Sequence, residues 1–116
     1  MNSVPNKEVS HINLYEAAGS ANAAVTHTIA AVSGVWHVID KISFSYYSTG
    51  TPIGSMVVQI DGSNVFSESV RGSAGVSVNR SLDFPAGLYG AKGLAIVIQL
   101  AAGGANVLGT LNVTYH

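Results

Sequence analysis

Cysteine is absent from this chain and charge is scarce. With no Cys in 116 residues, a disulfide framework and a thiolate metal site are both excluded, which fits synthesis in a reducing cytoplasm. Only 9% of residues are Asp, Glu, Lys or Arg, against roughly 25% in an average soluble protein. Five basic residues spread along the chain leave no electrostatic footprint for nucleic acid, whose binding rests on neutralising phosphates. Long hydrophobic runs are missing too. None approaches the roughly 20 residues of a spanning helix, so no membrane partner is expected. The first ten residues, MNSVPNKEVS, contain no apolar core and do not read as a secretory signal.

Catalytic patterns are equally wanting. The six acids are scattered, no G-x-S-x-G occurs, and His11, His27, His37 and His116 show neither H-x-H nor H-x-x-x-H spacing. The jelly-roll cupin metal pattern is absent. Residues 104–110, GANVLGT, copy the outline of a phosphate loop but lack the Lys before Thr110 and lie between strands, so they read as a turn. Gly87, Gly90 and Gly93 match no dinucleotide fingerprint. The sequons at Asn79 and Asn112 are short enough to arise by chance. The expectation is a protein without enzyme activity, with no catalytic residue, metal site or cofactor.

What is present is β-pattern. Residues 35–48, VWHVIDKISFSYYS, form the longest such run and hold the only Trp. Their even positions, Trp36, Val38, Ile42, Phe44 and Tyr46, are apolar except for Asp40, while His37, Lys41, Ser43 and Ser45 occupy odd ones. That is the pattern of a half-buried strand. Alternation also marks residues 9–17, 22–31, 55–60, 64–70, 76–84, 94–100 and 108–115, with turn residues between them. About eight strands and no convincing helical period predict an all-β fold, an antiparallel β-sandwich of jelly-roll type. Residues 1–8 read as an N-terminal arm and 9–116 as a single domain.

Several registers can be read in advance. A turn at Ser33-Gly34 would set Ile29 beside Val38, His27 beside Asp40 and Val25 beside Ile42. His27 and Asp40 would then be a structural polar pair, a reading preferred to base chemistry because no nucleophile falls near them. Asp61-Gly62-Ser63 is a hairpin signal, and a three-residue loop there would place Phe66 opposite Val58. Arg80 interrupts an apolar face and should reach a carboxylate or a subunit boundary.

Low charge without a membrane span points to a surface covered by neighbours, since a lone soluble domain stays dispersed through a more charged exterior. The expected partners are further copies of the chain, as dimer or trimer, and other subunits of an assembly. Candidate interface residues are Val4 and Pro5 on the arm, together with Tyr46, Tyr47, Arg80 and Tyr89. Tyr46 and Tyr47 read either as a contact surface or as a core residue beside an ordinary exposed aromatic.

The Trp-led strand, the segment TPIGSMVVQIDG at 51–62 and the ending LAAGGANVLGTLNVTY at 100–115 resemble small jelly-roll virion proteins of tailed bacteriophages, most of all the capsid decoration or cement proteins. That resemblance implies a homo-oligomeric clamp on the outer capsid surface, made in the host cytoplasm, that bridges major capsid protein subunits without catalysis or cofactor. A tail or baseplate subunit has much the same composition. The alternative is a carbohydrate-binding, lectin-like module, with Tyr47, Tyr89, Asp61 and Asn64 as its glycan contacts.

Overall fold

The computed structural model describes the backbone of residues 13–116 and the side chains of residues 19–116, so Val4, Pro5, His11 and the arm lie outside the described residues. Eight strands follow one another: β1 (Asn13–Ala18), β2 (Val25–Ile29), β3 (Val38–Ser48), β4 (Ile53–Ile60), β5 (Ser63–Arg71), β6 (Val78–Tyr89), β7 (Ile96–Leu100) and β8 (Val107–Tyr115). They divide into two antiparallel four-stranded sheets, ordered β1-β8-β3-β6 and β2-β7-β4-β5. Among the described strands only β4 and β5 are neighbours in both sequence and sheet. The connections β1–β2, β2–β3, β3–β4, β5–β6, β6–β7 and β7–β8 all cross from one sheet to the other, and this interleaving is the jelly-roll arrangement.

The crossing follows from how the apolar residues match. β7 alternates Ile96, Ile98 and Leu100, each at most 1% exposed, and needs cover along both edges. β2 provides it on one side, with Val25 opposite Leu100 and Ile29 opposite Ile96, and β4 on the other, with Met56 opposite Leu100 and Val58 opposite Ile98. Facing them across the sandwich are Ile42, Phe44 and Tyr46 of β3 and Leu111 and Val113 of β8, all within one core. Each such side chain contributes about 1.5–3 kcal/mol by leaving water.

The expected β2–β3 hairpin therefore does not form. The Ser33-Gly34 turn exists, with Gly34 at φ 76° and the Val35 amide donating to the Val32 carbonyl at 3.0 Å. It redirects the chain between sheets instead of folding β2 onto β3. The signal for β2 pairing with β3 was apolar matching, and β7 satisfies that matching equally well.

Asp40 breaks the pattern of β3 for a backbone reason. Ile39 pairs with Tyr115 and Lys41 with Thr114, leaving Asp40 as an extra residue in the ladder. A one-residue bulge reverses which side chains point inward. Ile39 is buried before it, Ile42, Phe44 and Tyr46 after it. Trp36 sits ahead of the bulge and outside the strand, and is 59% exposed rather than part of the core.

The hairpin at Asp61-Gly62 is where it was expected, both residues having positive φ, 51° and 78°. Its loop is two residues long, with Ile60 opposite Ser63, and the extra residue Val65 brings Phe66 opposite Val58. β6 runs on through Pro85, beyond the 76–84 expected from alternation, because β6 is an edge strand where the missing N–H costs no ladder bond. Residues 84–87 bow away from β3, since pairing jumps from Asp83 to Leu88. Phe84 uses the bow to meet Phe66 edge-on at 5.4 Å.

Candidate functional surfaces

Two exposed regions stand at opposite ends of β3. At the Val38 end, the β2–β3 and β6–β7 loops are laced together. The Gly93 amide donates to the Val35 carbonyl at 2.9 Å and the Gly90 amide to the His37 carbonyl at 2.8 Å. His37 Nε2 donates to the Ala30 carbonyl at 2.9 Å, bracing the same loop from within. These bonds hold Val32, Val35, Trp36, Tyr89 and Leu94 at one end of the sandwich, all of them exposed, Tyr89 at 60%.

At the other end, the outer face of the β1-β8-β3-β6 sheet is paved with small polar side chains. Ser43 pairs with Ser81 on one side and Asn112 on the other; Ser45 pairs with Asn79 and Thr110. Their alternation with buried Ile42, Phe44, Tyr46, Leu111 and Val113 places them outward. They line a hollow of about 340 Å³, bordered by Tyr47 and Arg80. Ser45 and Thr110 are hydrogen-bonded to each other. Tyr47, 53% exposed, pairs with Leu108 and ends the polar rows.

The candidate residues thus separate. Tyr47 and Arg80 meet at the hollow, while Tyr89 belongs to the apolar end. Arg80 Nε lies 3.8 Å from Glu68 Oε2 on β5, supplying the carboxylate its position called for. Tyr46 is no interface residue: it is fully buried, its hydroxyl donates to the Ala101 carbonyl at 2.6 Å, and burial pushes that hydroxyl up to about 12. Of the glycan contacts expected from the sequence, Asp61 lies in the β4–β5 turn and Asn64 beside it on β5, bonded to Gln59, away from the hollow.

The His27–Asp40 cross-strand pair is overturned with its register. β2 and β3 lie in different sheets, so His27 faces Ile98 on β7. The Asp40 carboxylate, swung out by the bulge, accepts from Nδ1 of His116 at 2.9 Å. Both side chains are substantially exposed, 47% and 34%, where such a pair contributes about 0.2–1 kcal/mol. Asp40→Ala is accordingly expected to lower stability in urea by less than ~1 kcal/mol, and no more in the His116→Ala background. A larger loss would mean that Asp40 has a second structural role.

His27 packs its ring against Tyr115, centroids 5.5 Å apart, and burial lowers its affinity for a proton below that of an ordinary histidine. Well above the ordinary histidine value of about 6.5 the ring is neutral in both folded and unfolded chains. As pH falls below that, the unfolded chain protonates first and stability declines. His27→Gln should show a shallower loss of stability between about pH 7.5 and about pH 5.5 in urea titrations. An unaltered slope would place the acid sensitivity elsewhere. Among the described residues no group of three His, Asp or Glu comes together as a metal site.

The sequence carries a trace of the polar rows. Ser43-x-Ser45, Asn79-x-Ser81 and Thr110-x-Asn112 are each an i, i+2 pair of small polar residues. Only the register of β3 against β6 and β8 turns three pairs into one surface. The apolar end has no such trace, because alternation continues through Val35 and Trp36 although both lie in the loop before β3.

No protein-family model and no curated protein matches the chain. Among solved structures it is similar to the CBM36-1 domain of a multidomain xylanase from the hindgut metagenome of Trinervitermes trinervoides, at 14% identity and TM-score 0.42, over 84% of this chain and 73% of that one. It is also similar to a CBM36 carbohydrate-binding module in complex with calcium and xylotriose, at 17% identity and TM-score 0.41, over 91% and 92% of the two chains. A third likeness is to VP2 of the infectious bursal disease virus subviral particle, at 14% identity and TM-score 0.40, over 90% of this chain and 32% of that one. All three are likenesses of chain path.

Proposed function

We propose that the protein is a non-enzymatic structural subunit of a bacteriophage virion, a decoration or cement protein that sits on the outer capsid surface and bridges major capsid protein subunits. The observation that carries this reading is the apolar end, where Trp36 and Tyr89 stand 59% and 60% exposed beside Val32, Val35 and Leu94. Trp and Tyr are the side chains that most often dominate association energy when a partner covers them. A chain with a net charge of −1 opposes its own packing with little long-range repulsion. On a shell, one modest contact is repeated many times, and linked contacts multiply. In this reading the subunit self-associates as a dimer or trimer, and a tail or baseplate position is the variant of the same role.

Size-exclusion chromatography with light scattering, followed by co-sedimentation with capsids, tests the proposal. A stable oligomer or a fixed copy number per shell is expected. A monodisperse monomer that leaves shells, tails and baseplates unbound overturns it.

A further inference from the structure

The polar hollow is not explained by assembly. Its rows hold Ser43, Ser81 and Asn112, then Ser45, Asn79 and Thr110. Protein interfaces are depleted of Ser and built on an apolar centre, whereas here the apolar side chains, Tyr47 and Leu108, stand at the border. Apart from the Ser45–Thr110 bond, no hydrogen bond among the described residues engages the side chain of any of these six. Ser45 is buried and holds Thr110, while the side chains of Ser43, Ser81, Asn79 and Asn112 are available to a ligand, and each both donates and accepts.

The charge around the hollow decides the class of ligand. No carboxylate is among its described lining residues. Its one cation, Arg80, is engaged by Glu68 at 3.8 Å and donates to the Asn79 carbonyl at 3.4 Å. In the next row outward Lys41 stands opposite Asp83, so the two offset each other. An anionic ligand would find no free cation among the described side chains, and the register continues the Ser81–Ser43–Asn112 row to Glu16 on β1. A neutral molecule rich in hydroxyls matches the hydrogen-bonding groups and needs no cation.

Geometry narrows the class further. Strands lie about 4.8 Å apart and alternate residues about 6.8 Å apart, which makes a rigid grid on the scale of a pyranose ring and its hydroxyls. The hollow's volume of about 340 Å³ falls at the lower end of small-molecule sites, roughly 300–1,000 Å³. Tyr47 offers an exposed aromatic face at the edge of the grid, against which the C–H face of a sugar can stack. We infer that the outer face of the β1-β8-β3-β6 sheet is a binding site for a neutral saccharide, with Tyr47 as the stacking residue and the Ser, Thr and Asn rows as its hydrogen-bonding floor. The site is independent of the apolar end: Val38 and Tyr47 are nine residues apart on β3, about 30 Å at strand rise. A subunit anchored through Trp36 keeps the hollow open to solvent.

The test is a printed array of neutral and acidic oligosaccharides probed with the purified full chain, and titration calorimetry with the best neutral oligosaccharide found. Binding to neutral glycans is expected, weakened at least 10-fold by Tyr47→Ala and by the Ser43→Val, Ser81→Val double variant, and unchanged by Ser69→Ala on the opposite sheet. Circular dichroism melts establish that each variant is folded. An empty array, binding confined to acidic glycans, or binding indifferent to Tyr47 and Ser43 overturns the inference. So does a concentration-dependent dimer abolished by the same substitutions, which would give this face to a second copy of the chain.

Discussion

Replacing Tyr46 with alanine should destabilise the domain by about 3–5 kcal/mol, the range for loss of a fully buried aromatic. Tyr46 is the side chain that joins the two sheets at the β3–β4 end. It starts on β3, crosses the interior, and its hydroxyl reaches the Ala101 carbonyl just beyond β7 in the opposite sheet. Glycines make the passage. A Cβ on Gly54 would lie 2.3 Å from the hydroxyl oxygen, and one on Gly103 would lie 2.8 Å from the ring. No L side chain fits at either place without displacing the tyrosine. Tyr46→Phe keeps the ring and removes the bond, for a cost of about 1 kcal/mol. Gly103→Ala overpacks the site and should cost about 1–3 kcal/mol. Denaturant melts of the three variants check the order: alanine at Tyr46 worst and phenylalanine mildest. A Tyr46→Ala protein as stable as the parent would mean that this end of the sandwich is not closed as described.

Trp36→Ala should have the opposite profile, with stability retained and assembly lost. The indole is 59% exposed, so its removal opens no cavity in the core. If it anchors the contact proposed for the apolar end, truncation removes on the order of 2 kcal/mol per contact, about a 30-fold loss of affinity. Co-sedimentation with capsids and light scattering measure the loss, and a thermal melt within a degree or so of the parent shows that the fold is intact. Tyr89→Ala should behave alike and more weakly. Unimpaired capture by both variants would remove the apolar end from the assembly surface and leave the proposed role without its carrying observation.

The contrast between Tyr46 and Trp36 also measures what could be read from the chain itself. Both are aromatic residues on even positions of one β-patterned run. Alternation assigns them to the same face, and it is right from Ile42 to Tyr46, as it is for Met56 and Val58, for Ile96 to Leu100, and for Leu111 and Val113. Strand existence, face and the Asp61-Gly62 hairpin are local properties, written in a few adjacent residues. Pairing is not local. Val25 and Ile29 match Ile42 and Val38 as readily as Leu100 and Ile96, and only the closed sandwich chooses between them. The bulge at Asp40 is invisible to a period-2 count and gives Asp40 to His116, while Trp36 lies in the loop before β3 and is exposed there. The polar hollow was hidden for the same reason, its six residues coming from three strands that meet only after pairing.

The position of β8 has a consequence for how the molecule is made. β8 lies between β1 and β3, so one of its edges holds Asn13–Ala18 and the other holds most of β3. Neither of those earlier strands can complete its ladder until the residues up to Tyr115 are free to pair. During synthesis β1 must wait for β8, and among the described strands only the β4–β5 hairpin can form from neighbouring residues. Long-range closure of this kind places folding in the slow, millisecond-to-second range of β-sandwiches. The sheet that holds β1 therefore closes only after β8 has emerged, and until then its strands stay open to capture by chaperones or by other copies.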